Sequence, residues 1–589
     1  MKASLKVSFR LFKKHITRLL TIIAIVIVSV GFMSGLGEVK NKIDIAQNNF
    51  YISENISDLY LKSKRQYGFS LNEIRYLNNK FGENIVLKSF SYELKNNNEI
   101  TRVYSFNIVD AKINKLKLLE GEFPKTENEV VVERKTNTIK SYNIGDVINI
   151  NNINYFVCGI VINPLILIEA EEPSLQFENE HLSNVVYLNS TQFITNDVYI
   201  TLENRELFKS FNKKYKAEVE KLKQETQQVI GEDNVVILSL YENVGLYSMH
   251  SYAEKVGLIT IIFVIFFLLV TLLVVYSTMS RLLDEERSQI ACLKTMGFSD
   301  YGIVNKYVMF VLVATIIGGL LAFGVGYGLT SIIYSAFNMQ YIMPPLPKTI
   351  NFTYYALTFG IITLSTVLLT VATGISMVKN KPITLLTPKA PKSGKKVFIE
   401  KISFIWNKLS FKYKSTLRNV FLFKSRFFMT VISIIGSTVL VLAGMGLLDC
   451  AIKLGDSDSI VTISCALIVF SAVLCLLVIY NITNINVSER NREIATLMVL
   501  GYTNKEVTNY IFREIYIMSF IGAILGVPLG LGFIYFVFDL ISFGAIQDIN
   551  WYTWVLAPLV TMFFSFLSTM FLYKKIVKTD MNSSLKILE

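Results

Sequence analysis

Eight uncharged, strongly apolar runs restrict what this chain can fold into. They cover residues 19–37, 256–280, 307–347, 349–378, 427–448, 459–488, 515–538 and 549–573. Each reaches the roughly 18–20 residues that an α-helix needs to cross a bilayer. One charge at the bilayer centre costs on the order of 3 kcal/mol, so eight charge-free windows have no ready soluble explanation. The run 307–347 must hold a span and a loop, because Met343-Pro-Pro-Leu-Pro347 breaks any helix. The expectation is a polytopic α-helical membrane protein with eight transmembrane helices in two four-helix halves.

Between the first two runs the sequence changes character. Residues 1–18 are basic and free of acids, with Leu5, Phe9, Phe12, Ile16 and Leu19 at helical spacing, which predicts an amphipathic lead-in helix. A signal peptide is the competing reading, but 19–37 is long enough to span and no small-residue cleavage site follows it. Residues 38–255 are rich in charge and Asn, with β-forming pieces at 129–133, 146–150, 155–157, 184–188 and 234–238. Phe208, Phe211, Tyr215, Val219 and Leu222 predict a helix near 204–230. This stretch is long enough to bury its own core, so an α+β domain is expected between helices 1 and 2.

Lysine and arginine placement sets the expected orientation. The segment 379–426 carries many bases against the single acid Glu400, and the tail 574–589 adds Lys574, Lys575, Lys578 and Lys586. The loops near 336–352, 449–458 and 539–548 hold only Lys348 and Lys453. Both termini and the basic linker are thus placed in the cytoplasm, and 38–255 outside. The linker stretch Thr387-Pro-Lys-Ala-Pro-Lys-Ser-Gly394 reads as flexible. After it, Arg418 and Arg426 repeat the spacing of Arg10 and Arg18, each pair leading into a span. The bases of this chain, net +12, gather beside apolar runs, which points to an anionic leaflet and not to nucleic acid.

One stretch occurs twice. Glu285-Glu-Arg-Ser-Gln-Ile-Ala-Cys-Leu-Lys-Thr-Met-Gly-Phe-Ser299 matches Glu489-Arg-Asn-Arg-Glu-Ile-Ala-Thr-Leu-Met-Val-Leu-Gly-Tyr-Thr503 at a constant shift of 204. The same shift carries Gly318 and Gly326 onto Gly522 and Gly530, a register that marks an internal duplication. Each copy predicts a short amphipathic helix, with Ile290, Leu293 and Met296, or Ile494, Leu497 and Leu500, on its apolar face and Gly297 or Gly501 as its stop. The glycine spacing (Gly318, Ala322, Gly326; Gly522, Gly526, Gly530) predicts a smooth helix face for close packing.

This pattern resembles the FtsX-like permease domain of the MacB-type ABC transporter permeases. More loosely, Leu119-Glu-Gly-Glu-Phe-Pro124, Glu129-Val-Val-Val132, Ile144-Gly-Asp146 and Gly159-Ile-Val-Ile-Asn-Pro164 resemble the external domain of that family. The resemblance divides the chain into the lead-in helix (1–18), the first span (19–37), a MacB-like domain (38–255) and a first FtsX-like domain (256–378). The linker (379–426), a fifth span (427–448), a second FtsX-like domain (459–573) and the tail (574–589) follow. It implies a separate ATPase dimer that binds ATP and Mg and docks on coupling helices 285–299 and 489–503. Glu285, Ile290, Leu293, Met296 and Gly297 would be the docking residues in one copy, and Glu489, Ile494, Leu497, Leu500 and Gly501 in the other. The chain departs from the four-span MacB pattern, and from the ten-span bacitracin-type exporters, whose external domain sits late.

Other chemistries find little support. Gly394-Lys-Lys396 lacks the upstream glycine and the hydroxyl residue of a P-loop, so no cofactor is expected on this chain. His15, His181 and His250 are dispersed, Cys158 is the sole cysteine of 38–255, and neither a metal site nor an internal disulfide is expected there. No nucleophile elbow or paired carboxylate argues for an enzyme. The expected function is the permease subunit of an ATP-driven export or mechanotransmission system in a bacterial cytoplasmic membrane, handling an amphipathic peptide, lipid or lipopeptide, as in antimicrobial peptide resistance. The alternative is a regulator that transmits ATPase motion to an external adaptor or cell-wall hydrolase.

Overall fold

A computed structural model of the chain describes residues 10–577, apart from 83–84, 97–98, 168, 170–171, 192, 343–351, 388–399, 401–405, 408–409, 423 and 455–457. The expected turn at 343–347, most of the linker stretch 387–394 and most of the tail lie outside the described residues.

The first helix, α1 (Ile16–Ser53), runs well beyond the uncharged stretch, through Glu38, Lys40, Lys42 and Asp44. The β-rich domain opens with β1 (Leu59–Ser63) and α2 (Leu71–Phe81), the latter held by a Ser70/Glu73 capping box. Next come β2 (Val86–Asn96), β3 (Glu99–Phe106), β4 (Lys117–Gly121), β5 (Glu129–Glu133), β6 (Val147–Ile150), β7 (Ile153–Ile162), β8 (Asn184–Asn189) and β9 (Asp197–Ile200). The helix α3 (Lys213–Ile230) starts later than the residue spacing predicts. Asn212 caps it by accepting from the Tyr215 N–H, and Phe211 sits at φ 61°, so helix cannot extend back through Phe208. Strand β10 (Val235–Ser239) closes the domain.

The remaining elements are helical: α4 (Val244–Glu285), α5 (Arg287–Thr295), α6 (Asp300–Gln340), α7 (Phe352–Val378), α8 (Pro382–Leu386) and α9 (Phe411–Leu422). The series ends with α10 (Lys424–Lys453), α11 (Asp458–Glu489), α12 (Asn491–Val499), α13 (Asn504–Ile541) and α14 (Trp551–Val577). Eight helices among the described residues, α1, α4, α6, α7, α10, α11, α13 and α14, are long and apolar enough to cross a membrane. Pro528 and Pro558 lie inside α13 and α14, a tolerance typical of spans whose freed carbonyls find partners in neighbouring helices.

The chain divides into two compact units: a helical unit of 1–38, 257–333 and 351–589, and a β-rich unit of 39–256 and 334–350. The boundary falls inside α1, α4 and α6.

In the β-rich unit the strand order is β10-β1-β9-β2-β3-β8-β5-β7-β4, with β6 also on β7. Pairs β3/β8 and β5/β7 are parallel, and the other pairings are antiparallel. Alternation along Glu129-Val-Val-Val-Glu133 buries Val131 with Val185 and Tyr187 on one face, and Val130 and Val132 with Val103 and Val186 on the other. A sheet covered on both faces explains why its strands read as apolar runs.

Glu133 shows what that burial does to an acid. Tyr187 Oη donates to its Oε2 at 2.6 Å, and the Asn163 N–H donates to its two oxygens at 3.2 and 3.1 Å. Burial dominates these bonds and pushes the carboxyl up from 4.5 to about 8. The folded unit thus keeps a proton that the unfolded chain releases, and its stability falls as pH rises from about 4.5 to about 8. Glu133→Gln is expected to flatten that fall, measured as thermal unfolding followed by near-ultraviolet circular dichroism at about pH 5 and about pH 8. An equally steep fall in the variant would assign it to another group.

The two halves of the helical unit repeat each other in packing. A Cβ built on Gly318 would lie 2.9 Å from Val26 of α1, and one on Gly522 2.8 Å from Ile434 of α10. Built on Gly326 it would lie 2.6 Å from Ser34, and on Gly530 2.6 Å from Leu442. Both glycine faces therefore meet the first helix of their own half. The shift is 408 between α1 and α10 (Val26 to Ile434) and 204 between α6 and α13 (Gly318 to Gly522). The second half is thus the first half less 204 residues, with the β-rich insertion missing.

Hydroxyls join the helices where apolar contact offers no net gain over lipid. On α14, Thr561 meets Thr438 at 3.2 Å, Ser565 meets Ser519 at 2.8 Å and Thr569 meets Tyr516 at 2.6 Å. Between halves, Asn481 of α11 donates to Thr278 of α4 at 2.8 Å, and Phe32 packs on Phe470 at 5.2 Å between ring centres.

Candidate functional site: the paired short helices

Each half lays down a nine-residue helix, α5 or α12, between its second and third long helices. The local sequence dictates where each stops. Gly297 and Gly501 take φ of 84° and 88°, a region that favours glycine. The Gly297 and Phe298 N–H groups donate to Lys294 O and Leu293 O, both at 3.1 Å, and those of Gly501 and Tyr502 donate to Met498 O and Leu497 O, both at 3.1 Å. This is a Schellman closure made twice with matching partners.

The predicted apolar face divides in two. Ile290, Ala291, Ile494 and Ala495 are fully buried and pack inward. Leu293 and Leu497 are half-buried. Met296 and Leu500 project outward, 65% and 69% exposed. The free surface therefore lies at the C-terminal end of each helix, where Phe298 and Tyr301, or Val499 and Tyr502, extend it. Helical spacing missed Phe298, Tyr301 and Tyr502 because they follow the glycine stop. The usable signal was the aromatic after each stop, in Gly-Phe-Ser and Gly-Tyr-Thr.

Glu285 ends α4 and pairs with Arg18. Glu489 ends α11, and its side chain lies outside the described residues. Sequence reasoning passed over the next position, where the halves carry opposite charges. Glu286 precedes α5 as its N-cap, 1% exposed at its side chain, and gathers Lys14 at 2.7 Å, His15 at 3.1 Å and Lys306 at 3.8 Å. Burial works to raise its carboxyl, but hydrogen bonds from His15 and Lys14 and the charges of Lys14 and Lys306 outweigh it and hold the group at about 2. A carboxylate there also suits the positive end of α5.

The 204 shift maps Glu286 onto Arg490, the N-cap of α12. A cation at a helix N-terminus opposes the dipole. It is offset by Glu493 and by the buried Glu514 of α13, each 3.0 Å away. The lead-in segment is also more than a surface helix: Leu11 is buried and Phe12 stacks on Phe310 at 5.6 Å. Among the described residues, no group of three or more His, Cys, Asp or Glu could hold a metal ion.

Eight spanning-length helices, two halves with one packing plan and a capped short helix in each define a multi-pass membrane protein built on a duplicated helical unit. The FtsX-like permease C-terminal family matches residues 261–382 and 465–581, the two stretches that contain α5 and α12. The chain therefore carries the FtsX-like permease C-terminal domain twice, once in each half. Part of it is similar to the periplasmic region of MacB from Actinobacillus actinomycetemcomitans, at 13% identity over 31% of this chain and 87% of that one, with a TM-score of 0.18. It is also similar to the extracellular domain of the noncanonic ABC-type transporter YknZ from Gram-positive bacteria, at 13% identity over 31% and 99% of the two chains, with a TM-score of 0.19. No curated protein matches the chain.

Proposed function

We propose that this chain is the membrane subunit of an ATP-driven ABC system, with α5 and α12 docking a cytoplasmic ATPase dimer, one half to each subunit. The observation that carries the reading is the pair of identically closed helices, each leaving an exposed apolar end beyond a buried Ile-Ala pair. ATP and Mg belong to the partner. Its cycle would move α5 against α4 and α6, which also hold residues of the β-rich unit. In this reading that unit lies outside the membrane and works on an amphipathic peptide, lipid or lipopeptide. The described helices meet through hydroxyls, an amide and aromatic rings, which suits transmission of motion better than a path for ions.

The test is reconstitution of the chain with its co-purifying ATPase in lipid vesicles. ATP hydrolysis that rises with amphipathic peptides is the expected result. Hydrolysis that responds only to an external protein would favour a regulator. A chain that retains no ATPase would defeat the docking itself.

A further inference from the structure

We propose that the β-rich unit carries a binding cavity for an alkylammonium group, such as a lysine side chain or a free aliphatic amine. The cavity, about 140 Å³, lies against one sheet face. Three tyrosines line it from three strands: Tyr60 on β1, Tyr104 on β3 and Tyr199 on β9. Tyr60 and Tyr199 are register partners with rings stacked at 4.9 Å. Electron-rich rings around a recess favour a cation over a neutral or anionic guest.

The charges on the wall point the same way. Asp58, at the cavity edge, is neutralised by Arg205 at 2.8 Å. Arg102 is the guanidinium on the wall, and it is already committed to two carboxylates, Glu93 at 2.7 Å and Glu172 at 3.3 Å, and to Pro173 O at 2.9 Å. Two acids share one base, and burial pushes the Glu172 carboxyl up, so an ammonium placed beside it would favour its charged form.

One hydroxyl beside the cavity awaits a partner, close to the buried ring of Tyr199. Ser89, 1% exposed, has an unpartnered Oγ in an adjoining recess of about 20 Å³ that shares Tyr104, Leu165 and Tyr199. Buried polar atoms without partners are rare in folded proteins and mark a place for polar atoms of something bound. Leu165, Ile166, Leu175, Leu238 and Leu240 form the apolar part of the lining, beside the polar Ser57, Ser239, Glu242 and Asn243. An aliphatic stem ending in three N–H donors satisfies both halves of the cavity. The inference goes beyond the transport reading and stands apart from it, since binding here needs neither nucleotide nor ATPase.

The experiment uses the full chain in zwitterionic nanodiscs and isothermal calorimetry with pentylammonium, against pentanol and pentanoate, with empty nanodiscs subtracted. Saturable binding of pentylammonium alone is expected. Glu172→Gln removes the carboxyl that would pair with the ammonium and is expected to weaken binding about tenfold. Leu175 sits at the rim and is 63% exposed, so Leu175→Lys leaves the fold intact while tethering an alkylammonium at the mouth. That variant is expected to exclude the free probe, and it decides the matter even if Glu172→Gln disturbs Arg102. Pentanol bound as tightly as pentylammonium, undiminished binding to Leu175→Lys, or heat no greater than that of empty nanodiscs would each overturn the proposal.

Discussion

Met296→Glu combined with Leu500→Glu is expected to abolish co-purification of the partner ATPase while leaving the amount of chain in the membrane unchanged. Both side chains are mostly exposed in the chain alone, so a carboxylate there costs the isolated fold little. In a docked complex each would place an unpaired charge in an apolar contact. That penalty is about 2–3 kcal/mol per site, a loss of at least a hundredfold for the pair. Each single variant is expected to show a partial loss, because the two helices occupy equivalent places. Leu293→Glu and Leu497→Glu are less clean tests, since these side chains are half-buried and their replacement also loosens the fold. Ser288→Glu, exposed on the first turn of α5, serves as the control. The measurement is pull-down of the ATPase beside a blot for membrane abundance. Full retention by the double variant would leave the repeated helices without a docking role.

Gly526→Leu is expected to prevent assembly of the second half, with loss of folded protein on size exclusion in detergent. A Cβ at this position would already sit 2.7 Å from Thr438 Cβ, and the isobutyl group must enter the same space. The only relief is to move α13 away from α10, which also breaks the contacts at Gly522 and Gly530. Overpacking of a core typically costs about 1–3 kcal/mol, and separating two helix backbones exceeds that range. Leu529→Phe is the comparison, because Leu529 lies three residues on and is largely exposed. Similar yields for the two variants would show that the glycine face bears no close contact.

The membrane-crossing helices were legible because each is a long run without charge, a signal that needs no knowledge of partners. The duplicated helices were legible too, down to Gly297 and Gly501, since a positive φ leaves few alternatives to glycine. Which side of those helices stays free was not. Ile290 and Met296 are equally apolar in the sequence, and only packing separates a buried side chain from an exposed one. The β-rich unit was read in part. Strand β5 announces itself as Glu129-Val-Val-Val-Glu133, but β2 and β3 carry Ser91, Glu93 and Arg102, which the folded sheet buries with hydrogen bonds and an ion pair. The pairing of Glu286 with Lys14 and His15 joins residues 272 and 271 positions apart, and nothing local foretells it.

The two constants of the repeat, 408 before the insertion and 204 after it, amount to a deletion experiment carried within one molecule. In the second half, α10 and α11 are joined by a short connection from Lys453 to Asp458, yet α13 seats on α10 at the same positions as α6 on α1. Four helices of this kind therefore close without a folded domain between the first and second. The 39–256 module is thus no requirement of this four-helix packing, which the second half reaches without one.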